Sequence, residues 1–189
     1  LETKRSDFVN EQVSLKLFNQ GLKTTSATPA QSYDGVHIWL RHYGEAQLYA
    51  ITVNRRDNVV VYPTSYSARH PDLEWLVGPE GVLDPGRWFV VIMDMFGNGL
   101  SSSPSNDPDY PTLVTIHDNV SVQRRALREV WGIERAACVY GWSMGAQQAY
   151  HWAALHPDAV DRAFVVCGTA RTSVHNKVFH SGLLRTLER

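Results

Sequence analysis

An α/β fold, with a mostly parallel sheet flanked by helices, is predicted by three features of the sequence. Four short runs, residues 59–62, 88–93, 136–140 and 162–167, are apolar at nearly every position. Unbroken apolarity, as opposed to alternation, belongs to strands buried on both faces, and such strands make parallel sheets. The last three runs are separated by segments with helical spacing, and strand alternating with helix implies crossover connections of fixed hand. Finally, Gly141-Trp142-Ser143-Met144-Gly145 stands directly between an apolar run and a helical segment.

The elements follow in chain order. Residues 1–45 are poorly assigned. Val13 to Phe18 alternates weakly, as a strand would, and residues 21–32 are a polar stretch that reads as loop. Residues 47–53 read as a strand and 54–58 as a charged turn. After the strand at 88–93, residues 97–111 are dense in Gly, Ser, Asn, Asp and Pro and read as a long surface loop. Ile116, Val120, Leu127, Val130 and Trp131 recur at helical spacing, with Arg124, Arg125, Arg128 and Glu129 among them. Asp118 sits where it would cap or charge the start of that helix. Residues 144–155, rich in Ala, Trp and Tyr, predict a second helix tucked against the sheet. His156-Pro157-Asp158 ends it, because the residue before a proline avoids helical dihedrals. The whole, residues 1–189, reads as a single domain.

Composition excludes several classes. The 189 residues are 43% hydrophobic and 20% charged, with 18 Lys+Arg against 19 Asp+Glu and a net charge of −1. This is too apolar for a disordered segment and too neutral for a nucleic-acid binder that works by charge. No apolar run approaches the roughly 20 residues that span a bilayer. Cys138 and Cys167 each lie in an apolar run, which predicts buried, reduced thiols and fits a cytoplasmic protein. The eight histidines are scattered without ligand spacing, so no metal site is expected.

The chemistry is concentrated at residues 141–145. Gly-x-Ser-x-Gly between strand and helix is the pattern of a nucleophile elbow. Ser143 would occupy a strained turn that lifts its hydroxyl clear of the sheet. Gly141 and Gly145 would leave room for neighbouring backbone, and the amide of Met144 would face a developing oxyanion at the positive end of the helix.

Gly141-Trp142-Ser143-Met144-Gly145-Ala146-Gln147-Gln148-Ala149 resembles the elbow of homoserine O-acetyltransferases and their α/β-hydrolase-fold relatives, which usually read Gly-Gly-Ser-Met-Gly-Gly-Met-Gln. Further matches follow in the family's order, among them Trp75-Leu76-Val77-Gly78-Pro79, Arg87-Trp88-Phe89-Val90, Asp118-Asn119-Val120, Gly132-Ile133-Glu134-Arg135 and Thr169-Ala170-Arg171-Thr172-Ser173. The resemblance runs over about residues 46–179. It implies the α/β-hydrolase fold and an acyl-serine intermediate at Ser143, with acyl, by analogy acetyl, passing from CoA to an alcohol such as homoserine. No cofactor is implied, since acyl-CoA would be a substrate; the implied partners are a small-molecule donor and acceptor, and a homodimer is compatible with the family.

By the same resemblance the second oxyanion donor is the amide of Ser65, in Pro63-Thr64-Ser65-Tyr66-Ser67, where the family usually has a His-Ala-Leu-Thr-Gly-like turn. Arg171 and Asn176 match positions at which the family has Arg and Asn after the sixth strand; both are substrate-binding candidates, and Arg171 would hold an acceptor carboxylate through a bidentate pair. Asn98, in the turn after residues 88–93, would border the pocket. The family's order is Ser, then acid, then His, the last two after the seventh and eighth strands. The chain is therefore expected to stop before the last two strands and to lack the triad acid and histidine. Esterase activity from the same elbow, and a truncated or non-catalytic binding member, are the alternatives.

Overall fold

A computed structural model describes the backbone of residues 32–33, 36–43 and 46–52 and the full residues 58–78 and 80–188. The expected strand at 13–18 and most of the expected loop at 21–32 lie outside the described residues. Seven strands form one sheet: β1 (Ser32–Tyr33), β2 (Val36–Tyr43), β3 (Ala46–Thr52), β4 (Val59–Pro63), β5 (Phe89–Met93), β6 (Cys138–Trp142) and β7 (Ala163–Val166). Their order is β1-β2-β3-β5-β4-β6-β7. The β5-β4-β6-β7 half is parallel throughout, as the unbroken apolar runs predict. The β1-β2-β3 half is antiparallel and joins it through β3 and β5.

Strand β2, inside the poorly assigned stretch, pairs with β3 from His37↔Thr52 to Tyr43↔Ala46. Its sequence, Val36-His37-Ile38-Trp39-Leu40-Arg41-His42-Tyr43, has a two-residue apolar period on one face. Gly44-Glu45 follows it, so a hairpin signal was present.

Strands β4 and β5 are buried at every position. Val59, Val61, Phe89, Val91 and Met93 face one cluster, with Val120, Leu127, Trp131, Ala149 and Trp152. Val60, Tyr62, Val90 and Ile92 face the other, with Leu73 and Leu83. Burial on both faces fails at β7, where Ala163 and Phe164 are exposed, Phe164 by 62%. Among the described residues β7 is the sheet margin, with β6 as its one neighbour.

Helix α1 (Ile116–Trp131) starts at Thr115, whose hydroxyl accepts from the amide of Asp118 while the Asp118 carboxylate accepts from the amide of Thr115. It ends at Gly132 in the left-handed region. Helix α2 (Met144–Leu155) buries Gly145, Ala146, Gln148, Ala149 and Trp152. Helix α3 (Val174–Leu187) has no buried residue and exposes Val174, Val178, Phe179, Leu183, Leu184 and Leu187. No helix among the described residues is long and apolar enough to cross a membrane.

Both cysteines are free, but only one is sheltered: Cys138 is half-buried and Cys167 is exposed. The expectation of two buried thiols fails at Cys167, which follows the margin strand β7. The 97–111 stretch is a loop as expected, but it is folded on itself, with Ser101 and Ser103 buried.

Candidate active site

Ser143 joins β6 to α2 with φ 54° and ψ −116°, a conformation that costs a non-glycine residue roughly 1–3 kcal/mol. Its amide donates to Val166 O of β7 at 2.9 Å, and its carbonyl accepts from Ala146 N at 3.1 Å and Gln147 N at 3.3 Å. The turn is thus held from both sides. Ser143 occupies the N-cap position, yet its hydroxyl caps nothing. Among the described residues that hydroxyl has no hydrogen-bond partner.

The two glycines answer to contacts. A Cβ on Gly141 would collide with the carbonyl of Gly145, and one on Gly145 would lie 2.7 Å from Pro63 O. The first turn of α2 therefore sits directly against the end of β4. This contact brings the Ser65 turn to the elbow.

Pro63 does not disorder that turn. Thr64 N donates to Met93 O at 3.0 Å, continuing the ladder beyond the proline, and Met95 N donates to the Thr64 hydroxyl at 3.0 Å. The Ser65 carbonyl accepts from Ala68 N at 3.0 Å. The amides of Ser65 and Met144 donate to no other group among the described residues. The first amide of α2 and the amide of Ser65, in the turn that follows Pro63, are thus both without an acceptor, and the unpaired amides of that first helical turn add positive potential.

Asn98 belongs to a different cluster. Its Nδ2 donates to Asp94 Oδ1 at 2.9 Å and Ala68 O at 3.3 Å, and its Oδ1 accepts from the amides of Leu100 and Ser101. It also lines a cavity of about 560 Å³ with Tyr66, Ser67, Arg69, Asp72, Met95, Phe96 and Gly97. Ser143 is not in that lining. Arg171 and Asn176 lie after β7 and are exposed; the Asn176 amide donates to the Ser173 hydroxyl at 3.2 Å, capping α3.

Among the described residues, His156 at the end of α2 keeps a buried Nε2 without a hydrogen-bond partner, and the other histidines are bonded elsewhere or exposed. His151 Nδ1 lies 2.9 Å from Gln147 O within α2. His70 is bonded to Asp94, and His117, His175 and His180 are exposed. Sequence reasoning missed two groups: the His70–Asp94 pair and a buried chain linking Trp152, Gln123, Gln148 and Thr64. Both join residues far apart in the chain, so no local spacing announces them.

The alpha/beta hydrolase fold family matches residues 73–185. The chain belongs to this family. It is 41% identical over 139 residues to an ethyl acetate hydrolase of Pseudomonas veronii, covering 70% of this chain and 40% of that protein. It is 28% identical over 179 residues to a homoserine O-succinyltransferase of Cupriavidus metallidurans, covering 86% of this chain and 45% of that protein. The solved structure of an acetylester hydrolase from Corynebacterium glutamicum is similar with a TM-score of 0.71 at 35% identity, over 80% of this chain and 44% of that one. The resemblance to homoserine acyltransferases therefore holds, and esterases match at higher identity. The chain spans less than half the length of these relatives.

Proposed function

We propose that Ser143 is the nucleophile of a serine-dependent esterase that cleaves esters of short acyl groups. The observation that carries this reading is the Ser143 hydroxyl, which makes no cap bond, on a strained turn next to the free amide of Met144, with the Ser65 turn brought up by the contact of Gly145 with Pro63. Ser143 Oγ attacks the acyl carbonyl while a base takes its proton. The carbonyl oxygen becomes an oxyanion held by the two amides, and the alcohol leaves with a proton returned by the base. Water then attacks the acyl-enzyme, releasing the acid and restoring the serine. By the family resemblance the base is a histidine oriented by an acid. The higher identity to esterases supports hydrolysis as the fate of the acyl group.

The test is acetate release from ethyl acetate and 4-nitrophenyl acetate by the full-length gene product, with mass spectrometry of a fluorophosphonate adduct. Labelling at Ser143 and loss of release in Ser143→Ala are expected. A full-length protein that neither labels nor turns over is a non-catalytic member, and the proposal is then wrong.

A second reading is transfer of the acyl group from CoA to an alcohol such as homoserine, with Arg171 and Asn176 at the acceptor. It is favoured by the likeness to a homoserine O-succinyltransferase over 86% of the chain. No cofactor would be needed, acyl-CoA being a substrate. Release of CoA that homoserine does not stimulate would exclude it.

A further inference from the structure

Two buried glutamines connect the helices to the Ser65 turn. Trp152 Nε1 donates to Gln123 Oε1 at 2.9 Å, Gln123 Nε2 donates to Gln148 Oε1 at 2.6 Å, and Gln148 Nε2 donates to Thr64 O at 2.8 Å. Trp152 and Gln148 are 0% exposed and Gln123 is 4% exposed. The direction of the chain is fixed by its ends. An indole N–H can only donate and a carbonyl can only accept, so each amide between them has one permitted orientation. Glutamine is costly to bury unless satisfied, and aliphatic side chains would fill the same space. Packing alone does not call for this pair.

The end point of the chain indicates its use. Thr64 O and Ser65 N–H belong to one peptide group, and no cis peptide is present among the described residues. In a trans peptide the C=O and N–H point in opposite directions, so a bond that fixes the carbonyl also aims the N–H. A peptide whose carbonyl accepts a hydrogen bond is, through polarisation, a better donor at its nitrogen. Gln148 lies on α2, one turn beyond Met144, whose amide is the other donor. A single helix thus carries one oxyanion donor in its backbone and grips the peptide that provides the second.

We infer that Gln148 is a positioning residue of the oxyanion hole: it holds the Ser65 amide in register with the Met144 amide, and Gln123 and Trp152 hold Gln148. This rests on Ser143 being the nucleophile. Gln148 touches no substrate and acts through the Thr64–Ser65 peptide.

The experiment uses the full-length protein with Gln148→Met, which keeps the volume and removes the donor. Three quantities are measured: kcat and KM on 4-nitrophenyl acetate, the inhibition constant of a trifluoromethyl ketone that forms a tetrahedral oxyanion on serine, and the thermal midpoint. Removing a donor outright costs roughly 100- to 1,000-fold, so misaiming one is expected to lower kcat about 10- to 100-fold. Ketone affinity should fall in parallel, with KM within about threefold. A folded Gln148→Met with kcat and ketone affinity within twofold of the wild type overturns the inference. If that variant does not fold, Gln123→Met takes its place, since it frees the Gln148 oxygen and leaves its donor. A smaller loss of ketone affinity is then expected, and none overturns the inference. Ser143→Ala is the control: if it still turns over, the assignment of the nucleophile has failed, whatever Gln148 does.

Discussion

Asp94 holds His70 twice: one carboxylate oxygen accepts from the His70 amide at 2.9 Å and the other meets His70 Nδ1 at 2.7 Å. The carboxylate side chain is completely buried and also accepts from Asn98 at 2.9 Å. The carbonyl of Asp94 accepts from the Ser101 hydroxyl at 2.7 Å. One residue at the end of β5 therefore fastens the start of the 3-10 helix His70–Leu76 and the loop after β5. Asp94→Ala removes the buried acceptor shared by His70 and Asn98 and is expected to cost about 2–4 kcal/mol. Urea denaturation checks this; a midpoint equal to that of the wild type contradicts it.

Strain at Ser143 predicts opposite effects on stability and chemistry. Glycine adopts φ 54° without penalty, so Ser143→Gly is expected to stabilise the fold by about 1 kcal/mol, after allowing for the greater freedom of glycine in the unfolded chain. The same change removes the proposed nucleophile. A higher thermal midpoint with no phosphonate adduct at residue 143 is the expected pair of results, and a lower midpoint would show that the turn is not strained.

The cap of α1 carries a pH dependence. The Thr115 hydroxyl donates to the Asp118 carboxylate at 2.6 Å, and the bonds from Thr115 hold the carboxyl below its ordinary value. A lowered folded-state pKa stabilises the fold above the unfolded-state value, and this stabilisation is lost as pH falls through the folded-state value. Thr115→Ala is expected to cost about 1 kcal/mol near neutral pH. The difference from wild type should shrink on acidification through the carboxylate range, as read from urea midpoints at the two pH values. A constant difference would detach the cap from Asp118.

The two thiols should react unequally. Burial pushes the Cys138 thiol up, whereas Cys167 is exposed. Since the thiolate is the reactive form, iodoacetamide near neutral pH is expected to modify Cys167 at least about 10-fold faster. Peptide mass spectrometry over a time course measures the ratio, and equal rates would contradict the burial at Cys138.

The parallel strands and the helices that flank the elbow were legible because each announces itself within its own residues. Residues 59–62 and 88–93 became strands buried on both faces, and residues 116–131 and 144–155 became helices. The run at 136–140 was read two residues early: Ala136 makes only an isolated bridge with Val160, and the strand proper runs from Cys138 into the elbow at Trp142. Helix α3 was missed because its apolar residues lie all round it and bury nothing, so it has no one-sided period. At the site, the place of Ser143 between strand and helix was legible. The bond from Gln148 to Thr64 was not, because it joins a side chain to a backbone carbonyl 84 residues earlier in the chain. Asn98 is a related case: its turn was noticed, but its side-chain amide is wholly engaged in shaping that turn.

The seat of Gly145 against Pro63 has a bearing on heat. Because the first turn of α2 rests on the end of a strand buried at every position, the elbow is expected to open with the sheet and not ahead of it. Warming should leave the amides of Ser65 and Met144 in register until the core itself gives way. The temperature at which phosphonate capture fails in the full-length protein would then coincide with global unfolding.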